Sequence, residues 1–136
     1  MHVPAASPFF NRTYNEAFNL LVEARNYMAY VERRERGQLG LIGRLELACE
    51  AMRVTARLTQ IMAWLLMQQA VYNGEMTLEE ACSEANRLSG AGVCLDNTPL
   101  THEIMPAGIR SLLDRTHQLY LRVWRMDEMV RNQLLH

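Results

Sequence analysis

Residues 45–74 constrain the fold most, because they form a long helical pattern with no proline or glycine between Arg44 and Asn73. Two apolar seams follow steps of three and four, so each seam lies on one helix face. The remaining stripe is charged in its first half and apolar in its second. A helix that is apolar on nearly every side has to be surrounded by other elements. We therefore predict a central helix with both seams buried, the first being Leu45, Ala48, Met52, Thr55, Thr59, Met62 and Leu66, and the second Leu47, Ala51, Val54, Leu58, Ile61, Leu65 and Tyr72.

Two further long helices flank this central one. Ser7 and Pro8 supply an N-cap and a first-turn proline for a helix that we expect to reach about Arg36. Pro106 similarly opens a last helix that reaches about Gln133. The connector between the first two helices is short and glycine-rich, which makes them antiparallel neighbours.

A short fourth helix is predicted after the central one. Asn73 and Gly74 form a helix stop, and Thr77 with Glu80 forms a capping box. No alternating strand pattern occurs. The sequence therefore predicts an all-α fold, an antiparallel three-helix bundle with one additional short helix, in a single domain spanning 1–136 with a flexible start (1–7) and a long loop (89–105).

Composition excludes several classes of protein. A net charge of −1 argues against a general nucleic-acid binder, and no apolar run is long enough to span a membrane. The first residues lack the basic and apolar regions of a secretion signal. The three cysteines form no CxxC motif and are interpreted as reduced thiols.

The sequence contains no recognisable catalytic or metal-binding constellation. A di-iron bundle requires Glu-x-x-His pairs, and no glutamate here has a histidine three residues later. Nucleotide-binding glycine loops and nucleophile-elbow motifs are also missing. We therefore expect a non-enzymatic protein without a metal or cofactor, whose partners are other proteins.

Two apolar stripes are candidate interaction surfaces. Leu121 and Trp124 lie between polar His117 and Glu128, a pattern typical of an interface core with its rim. The alternative is that Phe9 and Phe10 fold back over this pair. The second stripe, a candidate dimer interface, consists of Trp64, Met67 and Val71; the alternative is that the short fourth helix covers it.

Within residues 50–75 the chain resembles the RcdA family, the regulators of CtrA degradation. The resemblance extends, with weaker flanks, from about residue 9 to residue 130. Its central motif includes the run Ala63-Trp64-Leu65-Leu66 and is carried by Glu50, Arg53, Thr55, Arg57, Leu58, Gln60, Ala63, Trp64, Leu65, Leu66, Ala70, Val71, Gly74 and Glu75.

This resemblance implies a cytoplasmic helical-bundle homodimer that acts as an adaptor in cell-cycle-regulated proteolysis. Such an adaptor helps to deliver a transcriptional response regulator to the ClpXP protease. Two rival hypotheses are a dimeric regulator associated with transcription and DNA, and an enzyme with an unrecognised site. The acidic short helix, with Glu79, Glu80 and Glu84, counts against the first rival because phosphates would repel it.

Overall fold

The computed structural model describes residues 8–83, 86, 88, 94, 96 and 105–135. Every regular element in this part of the chain is helical, which confirms the predicted all-α class. The predicted flexible start at 1–7 and most of the predicted loop at 89–105 lie outside the described residues. The elements are α1 (Pro8–Asn26), a π-helical segment (Tyr27–Val31), α2 (Glu32–Arg36), α3 (Leu41–Tyr72), α4 (Leu78–Ala81) and α5 (Ala107–Leu135).

Helix α1 runs antiparallel to both other long helices. Near its start, Phe10 packs edge-to-face on Trp64 in the second half of α3, with ring centroids 5.3 Å apart. Two ion pairs connect α1 to α5 in opposite order along the two chains, Glu16 with Arg122 and Glu23 with Arg115. The predicted antiparallel packing is thus confirmed for α1.

Helices α3 and α5 run parallel to each other. Arg57 of α3 contacts Leu113, while Trp64, two turns later, contacts Asp127. Parallel helices require a connection that returns to the other end of the bundle. Residues 73–106 make this return, whereas the connection between α2 and α3 is a short turn.

The end of α3 and the start of α4 follow the predicted signals. Gly74 has a φ of 78°, the left-handed conformation that follows a helix end. Thr77 and Glu80 form the capping box. Helix α4 ends at Ala81 and is shorter than predicted. Side chains donate to carbonyls at its end, Arg131 to Cys82 and Asn86 to Glu80, where a helix leaves carbonyls without intrahelical partners.

A π-helical segment interrupts the first long helix. The wider π turn changes the phase of the helix, and it places Glu35 on the same face as Tyr27. The Tyr27 hydroxyl donates to Glu35 Oε1 at 2.6 Å, and the Gly108 amide donates to Glu35 Oε2 at 3.3 Å. A carboxylate thus lies at the N-terminus of α5, where the helix dipole favours negative charge.

The core of α3 differs from the prediction in two respects. The second seam is buried or half-buried from Leu47 to Leu65, as predicted, but Tyr72 at its end is 56% exposed because α3 stops there and passes beyond the bundle's covered part. The first seam is exposed at every position except half-buried Met62, and Met52 is 71% exposed. The stripe that contains Glu50, Arg53 and Arg57 faces inward instead. The prediction that both apolar seams are buried was therefore wrong for the first.

Candidate interaction surfaces

Arg57 is the centre of a buried polar cluster. Its guanidinium donates to the carbonyls of Cys94 (2.9 Å), Asp96 (3.0 Å) and Leu113 (2.8 Å), and to the Thr116 hydroxyl (3.3 Å). Arg57 is fully buried, and burial lowers its pKa. Its planar fork of donors can satisfy several carbonyls at once. The side chain therefore attaches residues 94 and 96 to α3 and α5.

Glu50 and Arg53 extend this cluster by almost two turns along α3. Both are buried, and their charged groups lie 3.4 Å apart. Burial raises the pKa of Glu50, and the neighbouring cations Arg53 and Arg57 oppose that rise. These motif residues lie in the interior and offer no charged surface to a partner.

A second polar link connects α3, α5 and the residue after α4. The Trp64 indole donates to Asp127 Oδ1 at 2.9 Å, and Arg131 pairs with Asp127 Oδ2 at 2.9 Å. Arg131 also donates to the Cys82 carbonyl. The indole N–H of a buried tryptophan needs a partner, and here an inward-facing aspartate supplies it.

These contacts bury one residue of the predicted dimer stripe, whereas the other two residues remain partly exposed. Trp64 is only 1% exposed and lies between Phe10 and Asp127. Met67 and Val71 are half-buried. A dimer interface at this stripe stays a prediction. Because Trp64 is buried, its role in such an interface is limited to supporting the side chains packed around it.

The predicted partner surface lies on the flank of α5. His117, Leu121 and Trp124 are half-buried, while Glu128 is exposed. The Trp124 ring is tilted by 33° against Tyr120, with centroids 6.4 Å apart. Tyr120 contacts the buried Cys94 thiol, and burial is the main cause that raises the pKa of Tyr120 to about 12.

The four predicted residues therefore share one flank of α5, and Trp124 is connected through Tyr120 to Cys94, whose carbonyl accepts from Arg57. Phe10, which was the alternative cover for Trp124, packs on Trp64 instead; the side chain of Phe9 lies outside the described residues. Whether this flank binds a partner stays a prediction.

Sequence reasoning missed one surface, the outward face of α3. Every exposed residue of α3 from 45 to 66 is uncharged, and we call this set the outer face of α3: Leu45, Ala48, Cys49, Met52, Thr55, Thr59, Ala63 and Leu66. Two signals for it are present in the sequence. One is its unusual share of alanine and threonine, and the other is the 3–4 spacing of Glu50, Arg53 and Arg57 on the opposite side.

The described residues offer neither a metal site nor a membrane span. No group of three or more His, Cys, Asp or Glu side chains in the described part of the chain is placed to hold a metal ion. Within the same residues, no helix combines the length and the apolar character needed to cross a membrane. The buried ionisable groups described above hold helices together.

Comparison with known proteins identifies a family and a similar solved structure. Residues 2–135 match the family described as "Protein of unknown function (DUF1465)". The structure is similar to the crystal structure of RcdA from Caulobacter crescentus CB15, with 36% sequence identity and a TM-score of 0.75. This likeness covers 93% of each chain. Among curated proteins, no match is found.

Proposed function

This chain belongs to the DUF1465 family and is RcdA-like, and on that premise we propose that it is a protein-interaction adaptor in cell-cycle-regulated proteolysis. The resemblance to RcdA inferred from residues 50–75 is confirmed. In the proposed role the chain is cytoplasmic and non-enzymatic, and it helps to deliver a transcriptional response regulator to the ClpXP protease. One observation carries the proposal: the likeness to RcdA over nearly the whole of both chains.

The surfaces of the bundle support this role. An adaptor needs exposed faces that can bind proteins, and apolar side chains within a polar rim are typical of such faces. The α5 flank, with Leu121 and Trp124 between His117 and Glu128, has this composition and is the proposed partner-binding surface. We further propose that the adaptor is a homodimer.

A reconstituted degradation assay tests the adaptor role. Purified ClpXP and a transcriptional response regulator from the same organism are incubated with and without the chain, and loss of the regulator is followed over time. We expect the chain to increase the degradation rate without being consumed. The matched control is an unrelated ClpXP substrate, whose degradation should not change.

Two results would contradict the proposal. One is an unchanged degradation rate with every response regulator of the organism. The other is a shift of bulk DNA that weakens steeply with salt, because a DNA-binding regulator releases counterions on binding. The second result, combined with the first, would favour the rival hypothesis of a transcription-associated protein.

A further inference from the structure

A cavity of about 310 Å³ lies between α1, α3, α4 and α5, at the end of the bundle where α4 begins. This volume is at the lower limit of the range for pockets that bind small molecules. Its walls are mostly apolar, and it shares no residue with the proposed partner surface on the α5 flank. We call it the α4 pocket, and it is lined by Phe10, Gln68, Leu78, Met129, Val130 and Gln133.

Gln68 is a buried polar residue of the α4 pocket that the fold leaves without a partner. It is only 6% exposed, and its carboxamide makes no hydrogen bond within the part of the chain that the structure describes. A carboxamide carries two N–H donors and a carbonyl acceptor, and buried polar groups are nearly always paired. Leaving one unpaired costs free energy. An occupant of the pocket that pairs with Gln68 explains why a glutamine stands at this position.

The rim of the pocket beside α4 is acidic. Residues 73–83 contain Glu75, Glu79 and Glu80 and no basic residue. All three glutamates are exposed, and Glu79 directly follows Leu78, which lines the pocket. The side chains of Glu75 and Glu79 form no ion pair with any residue that the structure describes. These carboxylates favour an occupant that carries positive charge and repel an acidic one.

We propose that the α4 pocket binds an extended segment of a partner protein in which an apolar side chain is flanked by arginine or lysine. The apolar side chain enters the pocket, and the basic side chains face Glu75 and Glu79. The peptide group beside the apolar side chain offers one N–H donor and one carbonyl acceptor, and the Gln68 carboxamide can pair with both. A purely apolar ligand would leave that carboxamide unpaired. This inference goes beyond the adaptor role, because it assigns a second binding site whose occupant is defined without reference to ClpXP.

Nuclear magnetic resonance of the Gln68 side-chain amide tests occupancy of the pocket. The probe is a serine-rich peptide with one leucine between two arginines, and the control peptide has serine in place of the leucine. The Gln68 signal is assigned by its absence from the spectrum of Gln68→Met. We expect the leucine peptide to shift this signal until it saturates, and the control peptide to bind at least about tenfold more weakly, because it buries no leucine. An unchanged Gln68 signal, or equal affinity for both peptides, would overturn the proposal.

Replacing the carboxamide separates binding from stability. Gln68→Met has a similar shape and removes an unpaired buried polar group, so we expect it to be at least as stable as the native protein. Its affinity for the leucine peptide should fall about tenfold, because the hydrogen bonds to the peptide group are lost. Gln118→Met, exposed on α5 outside the pocket, is the matched control and should bind as the native protein does. A Gln68→Met chain that unfolds or loses stability would show that the carboxamide has a structural partner, and would overturn the proposal.

The acidic rim is tested by removing its charge. The double variant Glu75→Gln and Glu79→Gln should bind the leucine peptide more weakly, with a smaller dependence of affinity on salt. Asp114→Asn, an exposed carboxylate in the first half of α5, is the control and should leave binding unchanged. Native affinity in the double variant would contradict the charge complementarity.

Other outcomes identify a different occupant or a different failure. A Gln68 signal that shifts with protein concentration alone would place a second copy of the chain in the pocket and overturn the proposal. Peptide binding without any effect on ClpXP degradation would contradict only the adaptor role. Accelerated degradation with a Gln68 signal that the leucine peptide leaves unchanged would contradict only the α4 pocket.

Discussion

Gly108 lies where the bundle leaves no room for a side chain. A Cβ atom at this position would lie 2.7 Å from Cε2 of Tyr27 and 2.8 Å from Glu35 Oε1. Both neighbours belong to the hydrogen-bonded pair that caps α5. The close approach of the π-helical segment and α2 to the start of α5 therefore depends on a missing side chain, which a sequence pattern cannot reveal.

Replacing Gly108 with alanine should destabilise the protein. We expect Gly108→Ala to lower the free energy of unfolding by about 1–3 kcal/mol, the usual cost of overpacking. Gly40→Ala is the control, because its Cβ would have no atom within 4 Å. Denaturant unfolding measures both. Equal stability of the two variants would contradict the close contact.

Glu50 should give the protein a characteristic pH dependence. Burial raises its pKa in the folded chain above the unfolded value of about 4.3. Between those two pKa values the folded chain binds more protons than the unfolded chain, so stability falls as pH rises. We therefore expect the stability of the native protein relative to Glu50→Gln to decrease above about pH 4.3. Urea unfolding across pH 4–7 measures this difference, and an increase with pH would contradict it.

At the scale of the element, α3 shows what periodicity can and cannot predict. Its length, its Gly74 stop and its second seam are all local properties, and the sequence was enough to predict them. Which of the other two stripes of α3 faces inward depends on contacts with residues that are far away in the sequence. The Arg57 guanidinium is buried only because the carbonyls of residues 94, 96 and 113 receive its hydrogen bonds. Periodicity favoured the uncharged seam, and the polar stripe is buried instead.

Removing the Arg57 guanidinium should therefore weaken the attachment of residues 94 and 96 to α3 and α5. We expect Arg57→Met to cost at least about 2 kcal/mol, because buried carbonyls lose their donors. Arg125→Met, on the exposed side of α5, is the control and should change stability by less than about 0.5 kcal/mol. Chemical denaturation measures both variants. A loss as small as that of Arg125→Met would mean that water replaces the guanidinium.

For the whole molecule, the outer face of α3 and the proposed partner surface belong to two different helices. The outer face is the side of α3 turned away from the core, and the partner surface is a flank of α5. The sequence predicted the α5 residues, because a tryptophan and a leucine stood out on a polar face. It did not predict the outer face, because an exposed apolar seam and a buried one have the same periodicity until a partner helix is placed.

Separate surfaces predict separate effects on assembly and on partner binding. Trp124→Ala should reduce binding of the delivered response regulator by about 2 kcal/mol or more, the usual threshold for a hot spot, while the mass remains dimeric. Met67→Glu, in the stripe predicted as the dimer interface, should halve the mass, while each subunit still binds the regulator through its intact α5 flank. Calorimetric titration and light scattering on the same samples measure both properties.

Trp124 also packs on Tyr120, so the melting temperature of Trp124→Ala decides whether a loss of binding reflects a lost contact with the partner or a weakened fold. If melting temperature and binding fall together, Trp124 is core and the partner surface lies elsewhere. If Met67→Glu abolishes binding as well as assembly, the partner recognises a surface that only the dimer provides.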